Sequence, residues 1–259
     1  MIRLTYLLRR KPELSLEEFQ QYWRETHGPL AASHAQHMNV LRYVQVHTLP
    51  ESEGTPPVGG RGEMEPAYDG VAELWWETRD QLATAMETEA GRRAGAALLE
   101  DEGRFIDLPQ SPLWFNYEYP QINPTPETLL ASPRSPYVKL YYPLRHLPTL
   151  SFDAAQLYWR TTHGPIIRRF AGGGRILRYQ QIHRYDDPLE AALREARGTV
   201  VDPYTGHAEV WADRAAWGAT PTPEVIASGQ AALDDERNFI DFTRSTIWLG
   251  KEHQIVDRR

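Results

Sequence analysis

The chain has 259 residues, 41% hydrophobic and 24% charged, with a net charge of −7 and no cysteine. The length suits two domains of about 130 residues, and the missing cysteine excludes disulfides, thiolate metal sites and cysteine nucleophiles. Only three of the 28 basic residues are lysines and the balance is acidic, so nucleic acid is not the expected partner. No apolar run approaches the roughly 20 residues of a membrane span, and Met1–Tyr6 enters a strand-like pattern directly, so the chain reads as cytoplasmic, with no signal peptide.

Residues 1–9 read as a strand. Arg10-Lys11-Pro12-Glu13 is a turn, and Ser15 with Glu18 forms a capping box that starts a helix. Leu16, Phe19, Tyr22 and Trp23 share one face of it. Gly28-Pro29 is expected to break this helix, with 29–38 continuing at an angle. Val40–Thr48 is a strand with Leu41, Tyr43, Gln45 and His47 on one face and Arg42, Val44 and Val46 on the other. Residues 49–67, rich in proline and glycine, form a long loop, for which a lid over a site is the usual functional reading. A strand at 68–77, a helical region at 79–103 with a break at Gly91, and a strand at 112–119 complete the order β-α-β-β-α-β, the ferredoxin-like plan.

The chain then repeats itself. Tyr22-Trp23-Arg24-Glu25-Thr26-His27-Gly28-Pro29-Leu30 returns as Tyr158-Trp159-Arg160-Thr161-Thr162-His163-Gly164-Pro165-Ile166, identical at seven of nine positions and offset by 136. The strands around Tyr43 and Glu73 return around Tyr179 and Glu209, and Phe105-Ile106-Asp107 returns at an offset of 134 as Phe239-Ile240-Asp241. The domains are therefore 1–120 and 137–259, joined by a Pro-rich linker at 121–136. In the second half, 187–197 has helix-forming composition where the first lid has none, so the lids differ. A four-stranded sheet with helices on one face leaves the other face bare. The fold expected is α+β: two ferredoxin-like domains packed sheet to sheet as an internal pseudo-dimer, an intramolecular dimeric α/β barrel. Further homodimerisation of the whole chain is left open.

Phe19-x-x-Tyr22-Trp23-x-x-x-His27-Gly28-Pro29-Leu30, the Tyr-x-Gln-x-His strand at 43–47 and Asp69-Gly70-Val71-Ala72-Glu73-Leu74-Trp75 together resemble an EthD domain of the dimeric α/β-barrel superfamily. The resemblance extends over nearly all of both halves. It implies several functions: proteins of unassigned role beside ether-degrading oxygenases, polyketide-tailoring decarboxylases or dehydratases, and muconolactone isomerases. In the last, a histidine at the place of His27 acts on substrate. Related barrels bind haem.

The polar residues that recur are the catalytic candidates. His27 and His163 either hydrogen-bond a helix end or serve as general acid/base. Tyr43 with His47, and Tyr179 with His183, form rows that line either the helix side of the sheet or the pseudo-dimer interface. Glu73 and Glu209 lie in apolar strands and need partners; Arg42 and Arg178 are the expected ones, in pairs that fix register, and the alternative is a carboxylate that orients a catalytic histidine. Tyr6, Trp76, His207 and Trp217 are the ligand-binding candidates, Trp76 and Trp217 because they lack counterparts and suit a flat apolar ligand. His34 and His37 are three apart on a helix and raise a metal site, but a solvated helix face explains them, and no metal is expected. Gly172-Gly173-Gly174 reads as a turn. The function expected is a lyase or isomerase that needs no cofactor and acts on a small cyclic or aromatic, polyketide-like molecule by histidine acid/base chemistry. The alternatives are a carrier for a hydrophobic metabolite and a haem-binding barrel.

Overall fold

The computed structural model describes residues 1–54, 56, 59–124, 129–169, 171–172 and 175–259. Pro57 of the lid, Pro126 of the linker, and Phe170, Gly173 and Gly174 lie outside them. The first half contains β1 (Ile2–Leu8), α1 (Leu16–Tyr22), α2 (Gly28–His34), β2 (Arg42–Thr48), β3 (Gly70–Trp76), α3 (Arg79–Glu87), α4 (Glu89–Glu102) and β4 (Leu113–Ile122). The second contains β5 (Tyr137–His146), α5 (Phe152–Tyr158), α6 (Gly164–Arg169), β6 (Ile176–Tyr185), α7 (Pro188–Arg197), β7 (Gly206–Asp213), α8 (Arg214–Gly218), α9 (Pro223–Glu236), β8 (Ile240–Asp241) and β9 (Trp248–Asp257). No helix among the described residues is long and apolar enough to cross a membrane.

Within the halves the strand orders are β2-β3-β1-β4 and β6-β7-β5-β9, antiparallel throughout. The sheets also join edge to edge. β2 pairs with β9 and β4 with β6, which closes eight strands into one barrel with the helices outside. Closure pairs the edges, and it buries both faces of β1, β2 and most of the other strands, with exposed positions such as Tyr117 of β4. Period two then sorts the residues. Ile2, Leu4, Tyr6 and Leu8 of β1 pack under the helices with Tyr43, Ala72 and Trp76. Leu7, Val44, Val46, Val71, Trp75 and Trp114 fill the barrel with Tyr141, Tyr204 and Trp248 of the second half. The Tyr43-Gln45-His47 row therefore faces the helices and not the barrel.

Two local expectations change. The helix does not break at Gly28-Pro29. It widens through one π-helical turn, Trp23–His27, closed by the Gly28 amide donating to the Trp23 carbonyl, and all the flanking residues stay right-handed. Proline has no N–H to lose at the start of α2, and the extra residue in the turn lets Trp23 and His27 both point inward, where both are buried. The second break falls at Thr88, not Gly91. Thr88 leaves the helix at ψ 153 and caps α4 by accepting from the Gly91 amide at 2.9 Å. The capping box of Ser15 and Glu18 is present as expected.

Trp23 crosses β3 at Gly70. A Cβ there would lie 2.5 Å from the Trp23 ring and 3.0 Å from the Val46 carbonyl oxygen. Gly70→Ala should therefore lower stability by about 1–3 kcal/mol through overpacking, read as a fall in the urea midpoint. Gly206, its counterpart, meets the Ile182 carbonyl oxygen at 2.3 Å in the same test.

Candidate functional site

Each half holds a cavity between its sheet and its helices. The first measures about 470 Å³ and the second about 890 Å³. His27 with Tyr43 line the first, His163 with Tyr179 the second, and most other lining groups are apolar.

His27 is buried at the π-helical turn, and its Nδ1–H donates to Asp101 at 2.8 Å. The other oxygen of Asp101 accepts from the Tyr22 hydroxyl at 2.7 Å, and Phe105 packs against the imidazole at 5.2 Å. The second half repeats this with His163 donating to Asp235 at 2.7 Å, Tyr158 at 2.7 Å and Phe239 at 5.2 Å. Burial alone would raise the Asp235 carboxyl, but the bonds from His163 and Tyr158 hold it below its usual range. A carboxylate on Nδ1 fixes the tautomer, so Nε2 keeps its lone pair on the cavity side. Nε2 of neither histidine has a hydrogen-bond partner among the described residues.

Tyr43 is set up as a donor. Its hydroxyl accepts from Trp23 Nε1 at 2.9 Å and from Gln45 Nε2 at 3.2 Å, which leaves its own proton for the cavity. Tyr179 accepts likewise from Trp159 at 3.3 Å and Gln181 at 3.0 Å. Burial raises both phenols, so both stay protonated. His47 serves this arrangement from behind: its Nε2 bonds Gln45 Oε1 at 3.0 Å while its ring stacks on Trp23 at 4.7 Å. Burial pushes His47 well below its ordinary value and brings His183 down to about 3. Neither histidine lines the cavities; each positions the Gln–Tyr pair from a neutral imidazole.

The lids cross over. Arg197, at the end of α7 in the second half, binds Glu102 of the first through Nε at 2.8 Å and Nη2 at 2.9 Å. Arg61 of the 49–67 loop binds Glu236 of the second half in the same way, at 2.7 and 2.9 Å. Each cavity is thus closed by an arginine from the other half. Tyr6 and Trp76 line the first cavity and Trp217 the second.

Besides His47 and His183, three more of the expected site residues lie off the cavities. Glu73, Glu209 and His207 point into the barrel, on the opposite face of the sheet from His27 and His163. Glu73 bonds Arg3 at 2.7 Å and Lys139 at 2.6 Å, and Lys139 also meets Glu209 at 3.1 Å and Glu252 at 3.2 Å. Arg3 closes the network by binding Glu209. His207 bonds the Tyr141 hydroxyl at 2.7 Å, and burial depresses it to about 3. Arg42 and Arg178 are not the partners of these glutamates; their guanidinium groups lie over Trp75 and Trp211, each at 4.6 Å. The carboxylates that orient the histidines are Asp101 and Asp235, and Glu102 and Glu236 hold the lids. All four carry a sequence signal: Asp101-Glu102 returns as Asp235-Glu236 at the same 134 offset as the Phe-Ile-Asp that follows them. His34 and His37 lie 6.0 Å apart, and no group of three or more metal-binding side chains occurs among the described residues.

A solved anthrone oxidase-like protein superposes with a TM-score of 0.59 at 10% identity, covering 100% of this chain and 94% of its own. An EthD-family protein from Bacillus halodurans C-125 matches at 23% identity over 46% of this chain and 99% of its own, with a TM-score of 0.31. A dye-decolorizing peroxidase from Bacteroides thetaiotaomicron matches at 6% identity over 96% and 92%, with a TM-score of 0.44. Among curated proteins there is no match. The EthD domain matches residues 11–109 and again 147–243. The chain, a closed barrel of two fused copies, belongs to the EthD domain family.

Proposed function

We propose that the protein is an acid–base enzyme of the lyase or isomerase type, acting on a flat, apolar cyclic molecule with a C–H made acidic by a neighbouring oxygen. One observation carries the reading: a His–Asp pair with an unpartnered Nε2 opens onto an apolar cavity beside a tyrosine hydroxyl left free to donate, and this occurs twice. His27 Nε2 takes the proton from carbon. The Tyr43 hydroxyl donates to the substrate oxygen as negative charge gathers on it, and Asp101 stabilises the imidazolium. The proton returns to another carbon in an isomerisation; in an elimination the enolate expels a hydroxyl group from the β carbon, which leaves as water with the proton that His27 carries. His163, Asp235 and Tyr179 offer the same set in the second cavity.

The test is protein-dependent exchange of carbon-bound hydrogen in D2O, followed by proton NMR on cyclic ketones and phenols such as 2-tetralone. Exchange above the buffer rate supports the reading. Binding without exchange would leave a carrier, a role that the largely apolar lining also suits.

The larger cavity is poorly matched to haem. His163 would offer an axial nitrogen, but the arginines lining the cavity are already engaged: Arg61 with Glu236, Arg214 with Glu53, and Arg175 with the Ala216 and Thr220 carbonyls. Two propionates would meet no unpaired arginine among the residues lining this cavity, so the described residues do not fit the group. Added haem should give no Soret band of a histidine-ligated complex.

A further inference from the structure

The two cavities share the histidine and tyrosine described above but differ at a second polar position. Tyr6 of β1 lines the first cavity and is 4% exposed; the Arg197 guanidinium lies 5.3 Å from its ring, but the hydroxyl makes no hydrogen bond of ordinary length and its own proton has no acceptor. Its counterpart Tyr142 donates to Glu236 at 3.4 Å. A buried hydroxyl without a partner lowers stability, so a residue of this kind is retained at a cost that phenylalanine would avoid. Glu102 does not relieve it: both its oxygens accept from Arg197, and neither is within hydrogen-bond reach of the Tyr6 hydroxyl. Apart from Arg197 and the Glu102 it binds, the side chains of β1 and α7 that line the cavity with Tyr6 are apolar, including Leu4, Leu8 and Leu193.

We infer that Tyr6 is a specificity residue: its hydroxyl receives a neutral oxygen of the ligand, a phenol or a ring carbonyl, so that the first cavity selects a compact oxygenated ring system. The second cavity, about 890 Å³ against about 470 Å³, makes no such selection through Tyr142. This rests on the cavities being ligand sites, as proposed above, but not on their being catalytic. The smaller volume suits two or three fused rings, within the usual range of about 300–1,000 Å³ for small-molecule sites. An oxygenated ligand gains where a purely hydrocarbon one leaves the hydroxyl unpaired, and a site built around a polar group discriminates in this way.

The methionines make the experiment selective. Met38 and Met86 line the first cavity, whereas Met64 packs against the second core. With carbon-13 methyl-labelled methionine, 2-naphthol and naphthalene are titrated separately into the full chain. The Met38 and Met86 signals should report 2-naphthol binding about ten-fold tighter than naphthalene, the factor expected from one hydrogen bond. Tyr6→Phe should reduce that preference, leaving only what Tyr43 and His27 contribute, while naphthalene affinity is unchanged, and its ligand-free melting temperature should be at or above that of the parent. Tyr142→Phe should leave the preference intact. Equal affinity for the two probes in the parent protein overturns the inference without any variant, and so does a preference undiminished by Tyr6→Phe. Naphthalene binding shows that a variant is folded. If the D2O experiment fails while this pattern holds, the cavity selects a ligand it does not transform.

Discussion

Replacing both His27 and His163 by alanine should lower protein-dependent carbon–hydrogen exchange by about two to four orders of magnitude, the range that a positioned general base supplies. Either single replacement should remove only its own cavity's share. The effect is large because no other described group fits the role. His47 and His183 are neutral imidazoles behind the tyrosines, and Glu73 and Glu209 lie across the sheet. Asp101→Asn separates positioning from packing. The amide keeps the shape but frees the imidazole to take the other tautomer, and the comparable change in a Ser-His-Asp triad costs about 10⁴ in rate. Asp101→Asn with Asp235→Asn should thus follow the histidine variants in rate while ligand affinity holds. Full exchange in the double histidine variant would remove the acid–base reading.

The second large effect is on stability. Inside the barrel, Arg3 and Lys139 face three fully buried carboxyls, Glu73, Glu209 and Glu252. Two cations balance two carboxylates, so one carboxyl is favoured to keep its proton. Burial, with Glu209 and Glu252 nearby, pushes Glu73 up to about 8 against the pull of Arg3 and Lys139, while those two cations hold Glu209 well below its usual range. Glu209→Gln removes a true charge and leaves one buried cation uncompensated, at about 3–5 kcal/mol. Glu73→Gln replaces a group already neutral near pH 7 and should cost far less.

The pH dependence follows from the same pair. For Glu73 the folded chain keeps a proton that the unfolded chain loses near 4.5, so its contribution is complete below that pH and is lost as pH rises through about 8. Glu209 is the reverse: its contribution is present above the ordinary carboxylate pKa and is lost as pH falls. Urea midpoints from pH 6 to 9 should decline in the parent protein and decline less in Glu73→Gln. Equal losses in the two glutamine variants would contradict this assignment of the proton.

The repeated Tyr-Trp-x-x-x-His-Gly-Pro segment, the alternation in each strand and the constant offset are local patterns, and they carried the duplication, the element order and the barrel. They also marked His27 and Tyr43 as candidates, because a duplicated polar residue in an apolar setting is visible without coordinates. Period two separates the two faces of a strand but not inside from outside, so Glu73 and Tyr43 looked equally near the histidine. Only closure of the barrel through β2·β9 and β4·β6 put them on opposite sides. Asp101 lies 74 positions from His27, and Arg197 lies 95 from Glu102. Contacts of that separation are set by how helices and lids pack against the sheet, to which side-chain periodicity is blind. The sequence by itself determined what repeats and which way each strand alternates. The tertiary structure decided which aspartate holds each histidine, which half closes each cavity, and that the buried glutamates neutralise the barrel instead of serving the site.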